Sequence, residues 1–593
     1  MGFENRNYAF ASAFVDELAR SGLRHVCICP GSRSSPLTIS FSRHPGIKTW
    51  MHLDERSSSF FALGMARYLG QPVALVCSSG TAAANFFPAV VEARYSGVPL
   101  LALTADRPPE LLDWGALQTI DQTRIYGSHA KWSVNVPTPE VTPALMAFVR
   151  SMAARAFATA AEAPAGPVHV NFPFREPLEP ASVPADFAAS VASQSYAHSG
   201  RPGGVPFVSA VPARRAPDGK QVEGLARRLA SVEQGLIVCG PQADVGLAEA
   251  VSALAQRLDY PVLADCLSQV RCGPHDRDVV IDCYDAFIRD AEVAESLVPK
   301  VVIRFGALPV SKPLTQYLER HRSAHHILVD EENGWRDPFH LTSEVWHVDS
   351  VEFCEKLASA LEGKRAPREW SGRWRRLREA ARDAIARELA GFGDLFEGKV
   401  FSELAQLIPE EAVLFVGNSM PVRDMDTFFP STDRRIRFMA NRGASGIDGV
   451  VSTALGTSAA SGRVMLVLGD LSFYHDMNGL LAARAFGLNA TIIVINNNGG
   501  GIFSFLPQAA YEEVFEPYFG TPHGLTFRSA AELYGLRYRL VEDWPQFREA
   551  LQESLTSAGT TLIEVPGDRK ENVVLHRRIW AAVAAGIRAG RGG

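Results

Sequence analysis

Polar residues that suit metal binding follow two apolar runs in the last third of the chain. Residues 464–468 lead into Asp470, and residues 491–496 lead into Asn497 and a run of glycines that includes Gly499. Two parallel strands joined by a helix place their carboxyl ends on one edge of a sheet, so these groups are predicted to converge. A carboxylate, an amide oxygen and the carbonyl of a glycine turn form an oxygen ligand set that suits Mg²⁺.

Each of these features also has an ordinary structural explanation. Asp470 alone is typical of a helix N-cap, and an Asn-Asn-Asn-Gly segment alone is typical of a turn. Both explanations weaken because the two features follow neighbouring predicted strands, with Asn497 standing 27 residues after Asp470. Their joint occurrence favours a metal site.

Glu55 is a second residue that could carry chemistry. It lies in the segment 51–56, after a predicted strand at 48–52 and at the start of a predicted helix at 55–69. A glutamate in the first turn of a helix also interacts favourably with the helix dipole, which is the structural alternative.

The elements that must position these residues alternate along almost the whole chain. Short runs rich in Val, Ile and Leu are separated by longer segments of helical period, which indicates parallel sheets covered by helices on both faces. We predict an α/β protein with three doubly wound parallel-sheet domains. The predicted domain ranges are 1–185, 223–365 and 366–593, with a linker rich in Pro, Ala, Ser and Gly at 186–222 and a charged, exposed helix at about 365–387.

Composition excludes several classes of protein. The chain has 593 residues and a formal net charge of −6, which argues against nucleic-acid binding as its main task. No apolar run reaches the roughly 18 residues that span a bilayer, and the first residues show no secretory signal. The eight cysteines include no C-x-x-C pair and lie mostly in apolar runs, so we expect buried, reduced thiols in a cytoplasmic protein.

The metal motif resembles that of the thiamine-diphosphate enzymes. In that family the Asp, the Asn and the carbonyl of the later Gly bind Mg²⁺ (or Mn²⁺), which implies Asp470, Asn497 and Gly499 here. Leu471 stands where most of the family has Gly, a departure that one branch of the family shares. The resemblance also implies that Glu55 hydrogen-bonds the aminopyrimidine ring of the cofactor and activates it.

Further motifs resemble those of one branch of this family. The segments are 30–36, 78–81, 103–110, 417–419 and 441–449. The resemblance is dense in the first and third predicted domains and thin in the second. It implies the decarboxylation of 2-oxoglutarate and the addition of its succinyl unit to isochorismate, a step of menaquinone biosynthesis.

Both implied substrates are dicarboxylates, and arginine side chains at strand ends can bind carboxylates through two hydrogen bonds each. By resemblance, the residues on the isochorismate side are Arg33, Arg107, Gln118 and Lys312, and Ser32 is implied as substrate-binding. Arg423 is implied on the succinyl side, and Arg442 is a further substrate-binding candidate. The residues implied around the cofactor are Ser419, Ile447, Gly469, Asp470, Leu471, Ser472 and Asn497. Solvated ion pairs are the alternative for any single arginine, and a core position is the alternative for Ile447.

The resemblance implies a homodimer or homotetramer, because Glu55 and the diphosphate motif lie on different domains and the family shares each site between subunits. Another thiamine-diphosphate enzyme, of the acetohydroxyacid synthase or 2-oxoacid decarboxylase type, is the nearest alternative. A nicotinamide or flavin oxidoreductase is disfavoured because no G-x-G-x-x-G follows a predicted strand. A ligand sensor without activity is a third alternative, and the presence of Glu55, Asp470 and Asn497 argues against it.

Overall fold

The computed structural model describes residues 4–187, 196–331, 334–361, 363 and 368–591. The chain forms two compact units. The first comprises Met1–Ala213, Asn441–Gly462 and His475–Leu488, and the second comprises Arg214–Ala440, Arg463–Tyr474 and Asn489–Gly593. Among the helices of the described ranges, none combines the length and the apolar character needed to cross a membrane.

The first unit is built on a parallel sheet of six strands. These are β1 (His25–Ile28), β2 (Lys48–Met51), β3 (Val73–Cys77), β4 (Leu100–Asp106), β5 (Trp132–Asn135) and β6 (Val168–Pro173). The strand order is β2-β1-β3-β4-β6-β5. Every residue of β3 and β4 is buried, as expected for strands that are covered on both faces.

The second unit contains two more parallel sheets. The strands of its first sheet are β7 (Gly235–Cys239), β8 (Val262–Ala264), β9 (Val280–Ile281), β10 (Val301–Phe305), β11 (His325–Val329) and β12 (Thr342–Trp346). The strands of its second sheet are β13 (Ala412–Val416), β14 (Ile436–Met439), β15 (Val464–Gly469), β16 (Ala490–Asn496), β17 (Arg537–Leu540) and β18 (Thr560–Pro566). The orders are β12-β11-β10-β7-β8-β9 and β14-β13-β15-β16-β18-β17. The last sheet therefore repeats the order of the first, whereas the middle sheet has a different one.

Helices connect the strands. In the first half of the chain they are α1 (Arg6–Ser21), α2 (Ser35–Arg43), α3 (Glu55–Leu69), α4 (Thr81–Asn85), α5 (Phe87–Ser96), α6 (Pro143–Ala161), α7 (Tyr196–Ser199), α8 (Gly219–Ala230), α9 (Leu247–Leu258), α10 (Tyr284–Ile288) and α11 (Ala291–Ser296). In the second half they are α12 (Lys312–Arg320), α13 (Ser350–Ala360), α14 (Glu369–Gly391), α15 (Glu397–Leu407), α16 (Met420–Phe428), α17 (Val450–Ser461), α18 (Asp470–His475), α19 (Leu480–Phe486), α20 (Glu512–Phe515), α21 (Arg528–Tyr534), α22 (Trp544–Thr556) and α23 (Arg569–Arg591).

Helices α3 and α17 pack backbone against backbone in the first unit. A Cβ atom on Gly64 would lie 1.9 Å from the carbonyl oxygen of Thr453, and one on Gly456 would lie 1.9 Å from the carbonyl oxygen of Phe61. Only glycine permits so close an approach. This packing fixes the axis of α3, the helix that begins at Glu55.

The structure confirms the α/β fold with three parallel sheets. The strands predicted from apolar runs are all present, with ends that differ by up to three residues. Each sheet also contains one strand that the sequence pattern does not indicate, and β5, β9 and β17 all lie at the sheet edge. An edge strand is covered less completely, so it needs no continuous apolar run; β17, for example, is largely exposed.

Two helix predictions are wrong in detail. The helical period of residues 81–95 predicts one helix, but the segment is divided into α4 and α5 at Phe86, because Pro88 in the first turn of α5 has no N–H to continue α4. The helix predicted at 365–387 begins at Glu369 and is not a fully exposed connector, because Trp370 and Trp374 are buried on one face.

The predicted domain ranges each contain one sheet, and their boundaries stay a prediction. Residues 188–195 of the predicted linker lie outside the described residues. The eight cysteines are free and buried, as the sequence predicted.

Candidate functional site

The carboxyl edge of the last sheet brings together most of the predicted cofactor residues. The strand order of this sheet reverses between β13 and β15, because β14 lies on one side of β13 and β15 lies on the other. Ligands of open α/β sheets bind at the carboxyl end of the strands at such a reversal point. Ser419 follows β13 there, and Asp470 follows β15. Ser419 has φ +71°, a conformation that costs a non-glycine residue about 1–3 kcal/mol and that typically marks functional sites.

Asp470 is buried, and both oxygens of its carboxylate accept hydrogen bonds. Its Oδ1 atom accepts from its neighbour's backbone N–H, that of Leu471, at 2.7 Å. Its Oδ2 atom accepts from the backbone N–H of Gly499 at 2.8 Å and from Nε2 of His523 at 3.1 Å. Burial raises the pKa of Asp470, and these hydrogen bonds offset part of that effect. A nearby cation would stabilise the ionised carboxylate further.

Asn497 supplies a buried oxygen with no protein partner. Its Nδ2 atom donates to Oε1 of Glu397 at 2.8 Å, while its Oδ1 atom is buried and has no hydrogen-bond partner among the described residues. Leaving such an acceptor unsatisfied costs about 1–3 kcal/mol. A hard cation would satisfy it.

The glycine turn is held in a conformation that only glycine adopts. Gly499 has φ +134°, and a Cβ atom there would lie 1.9 Å from the carbonyl oxygen of Gly520. The side chain of Asn498 accepts from the backbone N–H groups of His523 and Gly524 at 2.9 and 2.8 Å. The turn is therefore fixed beside Asp470.

The arrangement fits a divalent cation that prefers oxygen ligands. A carboxylate, an unsatisfied amide oxygen and a carbonyl of the glycine turn come from the ends of adjacent strands, β15 and β16, which pair in register. This all-oxygen ligand set is typical of Mg²⁺, whereas structural zinc sites are typically built from cysteine sulfur and histidine nitrogen.

A second group with metal-ligand chemistry has a structural explanation. Asp265, Cys266 and Asp426 form the one cluster of three His, Cys, Asp or Glu side chains found in the described part of the chain that could hold a metal. Nη2 of Arg271 donates to Asp426 at 2.6 Å inside this cluster. The guanidinium therefore supplies the positive charge there.

The remaining residues predicted in the second unit occupy different places. Gly469, Leu471 and Ser472 flank Asp470 at the end of β15. Arg423 lies on α16 and donates from Nη1 to the carbonyl oxygen of Ser419 at 2.6 Å, so it is directed towards the same edge. Lys312 is the exposed first residue of α12, which follows β10 of the middle sheet.

Glu55 is the first residue of α3 in the first unit, and its neighbours hold the helix start. Asp54 caps α3 by accepting from the backbone N–H of Ser57 at 3.1 Å and also accepts from the side chain of Asn478. Arg56 donates to the carbonyl oxygen of His475 at 2.9 Å. The turn that carries Glu55 is thus fixed on both sides.

The Glu55 carboxylate lies close to the carboxyl ends of β1 and β3. Burial raises the pKa of Cys29, just after β1, to about 12, and the negative charge of Glu55 adds to that increase. Burial also raises the pKa of Cys77, at the end of β3, and the charge of Glu55 makes a smaller contribution in the same direction. Glu55 is therefore placed at the reversal point of the first sheet.

Arg33, Arg107 and Gln118 converge at the same edge of the first sheet. Arg107 donates to the hydroxyl of Ser79, and Gln118 donates from Nε2 to the Ser79 carbonyl oxygen at 3.0 Å. Burial lowers the pKa of Arg107, and the positive charge of Arg33 lowers it further, so the two guanidinium groups lie close together. Two adjacent cations attract an anion.

Glu176 offsets part of this positive charge, because its Oε1 atom lies 3.3 Å from Nη2 of Arg33. The compensation is only partial, since the Glu176 side chain is largely exposed to water. Ser32 is exposed beside Arg33 in the loop after β1. Arg442 and Ile447 lie in the loop 441–449, which precedes α17 in the same unit, and Ile447 is 38% exposed.

No sequence pattern marks Glu397 or His523 as site residues. Glu397 is the first residue of α15, a position where an acidic residue is ordinary, yet it is buried and burial raises its pKa to about 8. His523 lies in a segment with no helix or strand, so no periodic pattern marks it. Both are recognisable only from their contacts with Asn497 and Asp470.

Comparison with known families agrees with this geometry. The chain matches the family models described as thiamine pyrophosphate enzyme, N-terminal TPP binding domain (residues 9–125), middle domain of thiamine pyrophosphate (residues 225–416), and thiamine pyrophosphate enzyme, C-terminal TPP binding domain (residues 423–565). The first matched range contains β1 to β4 of the first sheet, the second contains the whole middle sheet together with β13, and the third contains β14 to β17 and most of β18.

Individual relatives are similar over nearly their whole length. A 2-succinyl-5-enolpyruvyl-6-hydroxy-3-cyclohexene-1-carboxylate synthase of Geobacillus thermodenitrificans is 52% identical over 580 residues, which are 98% of this chain and 96% of that protein. A protein of the same name from Chloroflexus aurantiacus is 48% identical over 97% of this chain and 96% of its own length. A third, from Listeria innocua, is 41% identical over 98% of each.

We expect Glu397→Ala to weaken binding of the metal and the diphosphate cofactor together. Without the Glu397 acceptor, the Asn497 amide is free to rotate, and loss of such an orienting partner typically costs about 10–100-fold in metal affinity. Calorimetric titration of thiamine diphosphate at several Mg²⁺ concentrations measures this.

Two variants serve as controls for that titration. Glu397→Gln keeps an oxygen that accepts from Asn497, so it should retain most of the affinity. Glu403→Ala removes an equally buried glutamate of the same helix that pairs with Arg548 and not with Asn497, and it should leave cofactor affinity unchanged. Equal losses in Glu397→Ala and Glu403→Ala would contradict a specific role for Glu397.

Proposed function

This chain belongs to the 2-succinyl-5-enolpyruvyl-6-hydroxy-3-cyclohexene-1-carboxylate synthases of the thiamine pyrophosphate enzyme family, and we propose that it decarboxylates 2-oxoglutarate and adds the succinyl unit to isochorismate. Near-full-length identity of 41–52% to relatives of this one name supports that reaction over those of other thiamine-diphosphate enzymes. The reaction forms a carbon–carbon bond, releases CO₂ and contributes to menaquinone biosynthesis.

The observation that carries the proposal is the oxygen ligand set at the reversal point of the last sheet. We propose that Asp470, Asn497 and the carbonyl of Gly499 bind Mg²⁺ (or Mn²⁺, which takes the same ligands), and that the metal neutralises the diphosphate of the cofactor. When bound, thiamine diphosphate supplies the carbanion chemistry of decarboxylation and carbon–carbon bond formation. The protein supplies binding, orientation and charge.

The residues proposed to bind the cofactor beside the metal follow the strand ends. They are Ser419, Gly469, Leu471 and Ser472 in the second unit, and Ile447 in the first. The constrained backbone of Ser419 supports its assignment, because strain is retained where a binding geometry requires it. Glu55 is proposed to accept a hydrogen bond from the aminopyrimidine ring, and a carboxylate there stabilises the protonated ring.

The substrate carboxylates are assigned to the cationic groups of the two units. We propose that Arg33, Arg107 and Gln118 bind isochorismate, with Ser32 and Lys312 as further contacts. The adjacent guanidinium groups of Arg33 and Arg107 support this assignment, because each can make two hydrogen bonds to a carboxylate. Arg423 is proposed to bind 2-oxoglutarate, since it is directed towards Ser419. Arg442 is proposed as a further substrate contact.

We propose that the active protein is a homodimer or homotetramer with sites shared between subunits. Large apolar side chains are exposed beside the proposed site in the first unit: Met51 and Leu53 precede Glu55, and Trp114 and Leu117 precede Gln118. Leu117 is 88% exposed, and a second copy of the chain would cover such residues. Reduced, buried cysteines support a cytoplasmic location.

The proposed reaction is tested by product formation. We expect the purified protein to convert 2-oxoglutarate and isochorismate to a single adduct, detected by mass spectrometry, only when thiamine diphosphate and Mg²⁺ are present. Glu55→Gln should lower the rate by about two to four powers of ten, because the amide cannot stabilise the protonated ring. Absence of the adduct under all conditions would refute the proposal.

The arginines should separate the two substrates. Loss of a buried carboxylate contact typically costs about 2–5 kcal/mol. Arg33→Ala and Arg107→Ala should therefore lower kcat/KM for isochorismate strongly and change slow CO₂ release from 2-oxoglutarate alone much less. Arg423→Ala should impair CO₂ release.

Steady-state kinetics with and without isochorismate distinguish these effects. Arg155→Ala, at an exposed position on α6 of the first unit, is the matched control and should change neither half-reaction. If the three site variants impaired both half-reactions equally, the assignment of substrates to arginines would be wrong.

A further inference from the structure

The carboxylate of Glu92 binds the loop that carries Arg442 and Ile447. Glu92 lies on α5 and is 3% exposed. Its Oε1 atom accepts from the backbone N–H of Gly443 at 2.8 Å, and its Oε2 atom accepts from the next N–H, that of Ala444, at 2.7 Å. Both carboxylate oxygens are thus used on two successive residues of a single loop.

The loop also approaches α5 more closely than a side chain would allow. A Cβ atom on Gly443 would lie 2.6 Å from the carbonyl oxygen of Glu92 and 2.8 Å from the backbone nitrogen of Ser96. Nη2 of Arg67, on α3, lies 3.2 Å from Oε1 of Glu92 and supplies the compensating charge. The buried carboxylate is therefore paired, and the loop is pressed against the helix that carries it.

Two further contacts hold the ends of the loop. At its start, Nδ2 of Asn441 donates to Oγ1 of Thr453 at 2.9 Å. At its end, Gly449 has φ +65° and packs against the ring of Phe60, which lies 2.0 Å from the position of a Cβ atom. The contact with Glu92 lies between these two along the loop.

We infer that Glu92 is a positioning residue that fixes the loop 441–449 and thereby the placement of Arg442 and Ile447. Arg442 lies between the first contact and the Glu92 contact, and Ile447 lies between the Glu92 contact and the last one. The Glu92 contact therefore restrains the loop between the two residues whose placement is inferred to depend on it. This inference rests on the proposed function for the roles of Arg442 and Ile447, but the contact itself does not.

The chemistry requires a carboxylate at this position. Glutamine has one acceptor oxygen, and its amide group would direct N–H bonds at one of the two backbone N–H groups. Glu92→Gln therefore removes one contact and replaces it by a repulsive one at nearly constant volume. Glu17 offers a matched control in the same unit, because it is fully buried, pairs with Arg150 at 3.1 Å and accepts from a backbone N–H, that of Phe207.

Hydrogen exchange of the holoenzyme tests the contact directly. In the presence of thiamine diphosphate and Mg²⁺, Glu92→Gln should increase the exchange rate of peptides covering 441–449 by at least about tenfold, whereas Glu17→Gln should not. Unchanged exchange of the loop in a folded Glu92→Gln protein overturns the inference. Glu92→Gln removes the carboxylate that pairs with Arg67. If the single variant fails to fold for this reason, the double variant Arg67→Met with Glu92→Gln, which carries no charge at either position, is used in the same experiment instead of the single variant.

Kinetics test the consequence for Arg442. Glu92→Gln should raise the KM of the substrate whose KM is raised by Arg442→Ala, by at least about fivefold. The double variant should be no worse than Arg442→Ala within about twofold, because the effects of residues coupled through one backbone segment are not additive. Glu17→Gln should leave that KM unchanged. Independent, additive effects would overturn the positioning role. A silent Arg442→Ala would instead refute the proposed substrate role of Arg442, with loop exchange still deciding whether Glu92 holds the loop.

Discussion

The interaction on which the proposed site depends is that of a buried carboxylate with the turn beside it. Asp470 ends β15, and its Oδ2 atom fixes the turn that follows β16 through the N–H of Gly499. Burial raises the pKa of Asp470, so the ionised form needs positive charge near it. The unsatisfied oxygen of Asn497 lies in the same turn region. A hard cation bound here would neutralise the Asp470 carboxylate and accept Oδ1 of Asn497 as a ligand. The same cation would then bind the diphosphate of the cofactor.

Several of the proposed site residues follow strands at the reversal points of the first and last sheets. In the first and last sheets the chain reverses beside the first strand, and the loops that follow there carry Arg33, Ser419 and Asp470. The middle sheet also has a reversal point, between β7 and β10, but its loops fill it. A Cβ atom on Gly240 would lie 1.8 Å from the carbonyl oxygen of Ala307.

The sequence predicts the three sheets well because fully buried strands require continuous apolar runs. It does not predict β5, β9 and β17, since edge strands lack that requirement. Asp470 and Asn497 are predictable from their spacing at strand ends. Their partners are not, because Glu397 stands exactly one hundred residues from Asn497 and looks like an ordinary first-turn glutamate. Contacts made between elements distant in the chain leave no local pattern.

The central claim is that the charge of Asp470 holds the metal and, through it, the cofactor. Calorimetric titration of thiamine diphosphate into Asp470→Asn, with Mg²⁺ varied, tests it most directly, because the substitution keeps the size of the side chain while it removes the charge and one acceptor oxygen. We expect the affinity for the cofactor to fall by more than about 100-fold, beyond the loss typical of an orienting partner, and to lose its dependence on Mg²⁺. Wild-type affinity with an unchanged Mg²⁺ dependence would contradict the account.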